Sequence, residues 1–165
     1  MKFQTDELNA MSEKLFAVEE TVSTAESVTS GFLQFLLSQM LKASEIYKGG
    51  LTAYTLQEKV NLLSVDEKEA EKCDCVSLGV SDDMALHVAR LFKTDWGIAV
   101  TGYATPVEQS GHKLFAFFSI AYRDNIVHSE KINLDLDLKG PDSQIKYAEL
   151  IIQTFKSILD KDFAE

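Results

Sequence analysis

The stretch TVSTAESVTSGFLQFLL, Thr21 to Leu37, hands a short strand-like run over to an apolar-rich one. Between them, TAESVTSG (24–31) gathers small and polar residues around one carboxylate, Glu26. TVSTA (21–25) reads as a strand. From Thr29 onward, Phe32, Leu33, Leu36, Leu37, Met40 and Leu41 recur at helical spacing with little polar face, which predicts a well-buried helix. The junction has two readings. Ser27 and Thr29 cap the helix, or Glu26, Ser27, Thr29 and Ser30 form the floor of a site.

The flanking sequence keeps alternating. Leu8, Met11, Leu15 and Phe16 give residues 5–19 a helical face, with Thr5 or Asp6 placed to cap. YKGGLTAYT (47–55) suits a strand that begins after its glycine pair, and QEKVNLL and DEKEAEKC suit short helices joined at Ser64. SDDMALHVARLF (81–92) predicts a helix capped by Ser81. WGIAVTG (96–102) reads as a central strand, and KLFAFFSIAY with NIVHSEKINLDL reads as a hairpin around RDN. Phe115, Phe117 and Phe118 alternate poorly, which predicts cover on both faces of that strand. A long amphipathic helix after KGPD carries Ile145, Ile151, Ile152, Phe155 and Leu159. The expectation is one α/β domain over 1–165: a three-layer α/β/α sandwich with a mixed, mostly parallel sheet.

Composition narrows the function. The 165 residues are 45% hydrophobic and 25% charged, with a formal charge of -10. That field repels phosphate backbones, so no nucleic-acid partner is expected. No apolar run approaches the ~20 residues of a membrane span. The start MKFQTDEL lacks a signal peptide's apolar stretch, so the expected compartment is the cytoplasm, with no membrane partner. Cys73 and Cys75 read as reduced thiols beside a helix end. His87 reads as a partly exposed residue of the 81–92 helix, and His112 and His128 share no ligand spacing with each other or with the cysteines, so no metal is expected, nor a cofactor.

In α/β folds ligands collect outside the carboxyl ends of the strands. Three polar strand exits then matter: ESVTSG, YTLQEK and TGYATP. These blocks carry a resemblance. TAESVTSG resembles the TAES-C-TGG signature of the C-terminal domain of competence/damage-inducible protein A (CinA). GGLTAYTLQEK resembles that family's second block, with Tyr54 and Lys59 in its spacing, and Val76-Ser77 fits a third. VTGYATP resembles the TGIAGP-type fourth. Stand-alone members of the family are nicotinamide-nucleotide amidases. The resemblance implies a catalytic group of Ser27, Tyr54 and Lys59. It also implies a substrate site including Thr101 and Gly102, with Glu26, Thr29, Ser30, Gly31 and Lys146 around it, and a homodimer acting on a small nucleotide. The chain departs from the pattern at Val28, Ser30, Tyr103 and Thr105, in the shortened VEQSGHK segment, and where DSQIKY replaces an Arg-rich helix start.

Each residue also has a plainer reading. Tyr54 is half-buried packing, Lys59 a surface lysine on a short helix, Glu26 a tie for its own loop, and Thr101-Gly102 a strand end. Three functions follow: a nicotinamide-nucleotide amidase; a CinA-fold protein without catalysis that binds or assembles; or a related amidohydrolase whose pocket Tyr103 and Thr105 reshape. The resemblance leaves open whether Ser27 or a water attacks.

Overall fold

The strands β1 (Val22–Glu26), β2 (Tyr47–Thr52), β3 (Trp96–Gly102), β4 (Leu114–Tyr122) and β5 (Asn125–Leu134) form one sheet, ordered β2-β1-β3-β4-β5. β1 pairs in parallel with both β2 and β3, while β4 is antiparallel to β3 and to β5. Four strands therefore run one way and β4 runs against them. This computed structural model describes residues 5–162. The first four residues of the MKFQTDEL start lie outside the described residues.

Helices cover both faces. On one face pack α1 (Thr5–Ala17), α2 (Phe32–Ser38) and α7 (Gly140–Asp162), burying Leu8, Leu15, Leu33, Ile151 and Phe155 against β1, β3 and β4. On the other, α6 (Leu78–Phe92) lies along the sheet, with α4 (Leu56–Leu63) and α5 (Glu67–Lys72) beside it, around Ala25, Leu63, Val80, Met84 and Ala99. All five residues of β1 are buried, as expected for a strand covered on both faces. Trp96 anchors the start of β3: its ring lies 4.3 Å from Tyr122 and 5.2 Å from Phe155, and its Nε1 donates to Glu20 at 2.7 Å. No helix among the described residues is long and apolar enough to cross a membrane.

Several boundaries differ from the sequence expectation. The second helix begins at Phe32 rather than Thr29, because Ser30 and Gly31 are left-handed at φ 51° and 97°. It stops at Ser38, and a short α3 (Ala43–Ile46) follows. β2 starts before its glycine pair, not after it, and ends at Thr52. A Cβ on Gly50 would fall 2.2 Å from Thr24 Oγ1, so bare backbone is what lets β2 close on β1 there. The helix predicted from Ser81 starts at Leu78. Ser77 is its cap, accepting from the Val80 N–H at 3.1 Å, and Ser81 is buried inside it, donating to Leu78 O. Within the first turn of α6, the Glu69 carboxylate packs where a Cβ on Gly79 would stand. On β4, Phe118 is buried but Phe115 and Phe117 are only half covered, with the Lys131 ammonium 4.0 Å and 5.5 Å from their rings.

Candidate functional site

The strand order places a switch point at β1: the chain leaves it toward β2 on one side and reaches β3 on the other. At the carboxyl end of β1, Ser27 N–H donates to Val100 O of β3 at 3.0 Å, and Ala53 N–H donates to Glu26 O at 2.9 Å. The three polar strand exits therefore meet. Between them lies a cleft of about 340 Å³, lined by Ser27, Val28, Tyr54, Lys59, Thr101, Gly102 and Tyr103, among others.

Lys59 reaches this cleft through helix geometry. Thr55 caps α4, its side chain accepting from the Glu58 N–H, and Lys59 sits one turn in, donating its N–H to Thr55 O at 3.1 Å. Helical side chains lean toward the N-terminus, so the lysine folds back over the turn it has just left. Its Nζ lies 2.8 Å from Ala53 O, 3.3 Å from Tyr54 O and 2.9 Å from Ser27 Oγ. Lys59 is 1% exposed and Ser27 8%. Burial lowers the lysine's pKa from 10.5, against the opposing pull of Cys75 and Asp74.

Thr101 and Gly102 form the opposite wall. Thr101 is buried and donates to Cys75 O at 2.7 Å. A Cβ on Gly102 would meet Ala116 Cα at 2.5 Å, so only glycine lets β4 pass there. Tyr54 lines the mouth with its side chain 68% exposed. Its hydroxyl makes no hydrogen bond to Ser27 or Lys59; what it gives the lysine is a main-chain carbonyl.

The remaining expected residues lie elsewhere. Glu26 is 0% exposed, and its carboxylate accepts from Thr29 Oγ1 and from the N–H groups of Gly31, Leu33 and Gln34. It seals the start of α2 and faces away from the cleft, which is the loop tie among its sequence readings. Thr29, Ser30 and Gly31 line a second hollow, beside Phe32 and Pro141. Lys146 lies on α7, 3.9 Å from Glu149, and does not border the cleft.

Sequence reasoning passed over Asp74 and treated Cys75 only as an inert thiol. Both lie on the cleft wall, in the turn between α5 and α6. Their φ angles, 52° and 60°, put two successive non-glycine residues in the left-handed region, a costly arrangement that recurs at functional sites. Bonds from Cys75 N–H to Ala70 O and from Val76 N–H to Cys73 O hold the turn. Burial pushes the Cys75 thiol up, against Lys59. Tyr103 Oη donates to Asp74 Oδ2 at 2.9 Å, and burial together with that carboxylate drives the phenol's pKa up. No residue pattern announces a turn of this kind.

Comparison with known proteins agrees with this architecture. The family model described as the CinA C-terminal domain matches residues 5–145. A CinA-like protein of Synechocystis sp. is 46% identical over 87 residues, covering 53% of this chain and 21% of the relative. One from Picosynechococcus sp. is 36% identical over 106 residues, covering 64% and 25%. The chain thus spans a quarter or less of the length of these relatives. Among solved structures, the competence or damage-inducible protein from Enterobacter asburiae superposes with TM-score 0.88 at 22% identity, over 96% of this chain and 99% of that one. A CinA superfamily protein from Klebsiella pneumoniae gives 0.89 at 20% identity, over 97% and 99%. At such identities the likeness concerns the fold.

Proposed function

The chain belongs to the CinA C-terminal domain family, and from that premise we propose that it is an amide hydrolase of the nicotinamide-nucleotide amidase type, with Ser27 as nucleophile and Lys59 as its base. The reading rests on the 2.9 Å contact between Lys59 Nζ and Ser27 Oγ within the cleft. The other two neighbours of Nζ are carbonyl oxygens, which only accept. They occupy two N–H bonds. A neutral amine then keeps its lone pair for the Ser27 hydroxyl, and burial favours that neutral form.

The chemistry follows from these positions. Ser27 Oγ attacks the carboxamide carbon as its proton passes to Lys59 Nζ. The tetrahedral oxyanion needs donors, and the N–H groups of Val28 and Thr29, which meet no protein acceptor among the described residues, adjoin Ser27 in the chain. Collapse breaks the C–N bond, and Lys59 returns the proton to the departing nitrogen, which leaves as ammonia. Water, deprotonated by the same amine, then cleaves the acyl-serine to the acid. On nicotinamide mononucleotide these steps would yield nicotinate mononucleotide and ammonia.

The test is ammonia release from nicotinamide mononucleotide and from simpler pyridine carboxamides, repeated with Ser27→Ala and Lys59→Met. Loss of turnover in both variants supports the reading. No ammonia from any carboxamide, or turnover indifferent to both substitutions, overturns it. A second reading, a binding module without catalysis, draws on Glu26's capture of the α2 donors.

A further inference from the structure

The charges around the cleft bear on which amide it accepts. Resting on the amidase reading above, we propose that the cleft selects a cationic, unphosphorylated carboxamide of the N-substituted pyridinium class over its phosphorylated counterpart.

A phosphate needs cations, or free N–H groups at a helix start. Among the described residues Lys59 is the one basic group on the cleft wall, and its Nζ is already surrounded by Ser27, Ala53 and Tyr54 oxygens. At the start of α2, the N–H groups of Gly31, Leu33 and Gln34 are taken by Glu26, itself a negative charge, and those of Val28 and Thr29 serve the oxyanion in the amidase reading. Lys146 stands off on α7 beside Glu149. The formal charge of -10 adds a repulsive background for an anion.

A pyridinium ring meets the opposite situation. Asp74 places an exposed carboxylate on the wall. Tyr54 and Tyr103 add two electron-rich rings, of the kind that attract cations within about 6 Å. Tyr103 is pinned at four points. Its ring packs edge-on to Phe115 with centroids 5.2 Å apart, and its hydroxyl bonds Asp74. Its N–H donates to Phe115 O, and its carbonyl accepts from Tyr147 Oη at 3.1 Å. A wall so fixed is preorganised for a flat, positively charged ligand.

Nicotinamide riboside and nicotinamide mononucleotide differ by one phosphate and separate the alternatives. Binding of each to the full-length Ser27→Ala variant, which cannot turn them over on the proposed mechanism, is measured by calorimetry at low and at physiological salt. The riboside is expected to bind at least about tenfold more tightly, with the gap shrinking as salt rises. Asp74→Asn is expected to weaken the riboside several-fold and narrow the gap. Equal or tighter binding of the mononucleotide, no binding of either, or a gap unmoved by Asp74→Asn overturns the proposal. If the wild-type protein meanwhile releases ammonia in a Ser27- and Lys59-dependent way, the hydrolase reading survives that failure. Riboside preference without ammonia from any amide sinks the hydrolase reading alone.

Discussion

The Glu26 carboxylate and the Ser27 hydroxyl leave one strand end toward opposite layers, and their surroundings could hardly differ more. Glu26 meets α2, where four donors converge on its two oxygens and no solvent reaches it. Ser27 meets α4, where its hydroxyl touches a lysine whose remaining neighbours are two carbonyls. Both are buried polar groups, so burial alone does not tell framework from chemistry. What separates them is unspent capacity. Every site on the carboxylate is taken by groups that cannot react, whereas the serine–lysine pair can still exchange a proton and opens on a cleft.

The comparison breaks most sharply at the pair itself. Ser27→Ala or Lys59→Met is expected to cut ammonia release by about a thousandfold or more, a loss typical when a nucleophile or its base is removed. The pH profile belongs to the same prediction. Only neutral Lys59 accepts a proton, so the rate should climb about tenfold per pH unit up to an apparent pKa below 10.5 and then level off. Stability shares the sign. Between the folded amine's lowered pKa and 10.5 the unfolded chain binds more protons, so the lysine's burial penalty, full below that window, fades as pH rises through it.

On the other side of the comparison, Glu26→Gln should cost about 2–4 kcal/mol of stability, read from denaturant melts, because an amide cannot accept the donors a carboxylate does. Turnover per folded molecule should stay within a few-fold of wild type. If the chemistry fell with the stability, the two sides of the strand end would not be separable. Thr101→Val should lose about 1 kcal/mol by orphaning Cys75 O, with a few-fold drop in turnover as the Asp74–Cys75 turn loosens. The smallest effect is expected for Tyr54→Phe, less than threefold on turnover, since that hydroxyl makes no bond to the pair.

Much of the frame was legible in the residues. The run 96–102 coincides with β3 because a strand buried on both faces is a continuous apolar string, and it has no other reading at that length. The convergence of Ser27 and Lys59 was legible only through family blocks in register; a lysine on a short polar helix, taken alone, looks solvated. Where reasoning missed, the deciding partner was remote in sequence. Ser77 rather than Ser81 caps α6 because Glu69 packs on Gly79. Lys146 has the charge a phosphate would want, but it lies on α7 beside Glu149, outside the cleft lining. The family resemblance put Tyr54 in the catalytic group, yet it meets Lys59 through a carbonyl, an atom every residue carries.

The segment after β3 departs and returns at fixed points: Tyr103 N–H bonds Phe115 O, and Gly102 pairs with Ala116. Between them the chain turns at Gly111, where nothing lies within 4 Å of a would-be Cβ. A peptide tag or fluorescent graft spliced at that tip would meet no neighbour there, and the segment carrying it begins at Tyr103 and Ala104 of the cleft wall. It gives an experimenter a handle for watching ligand arrival.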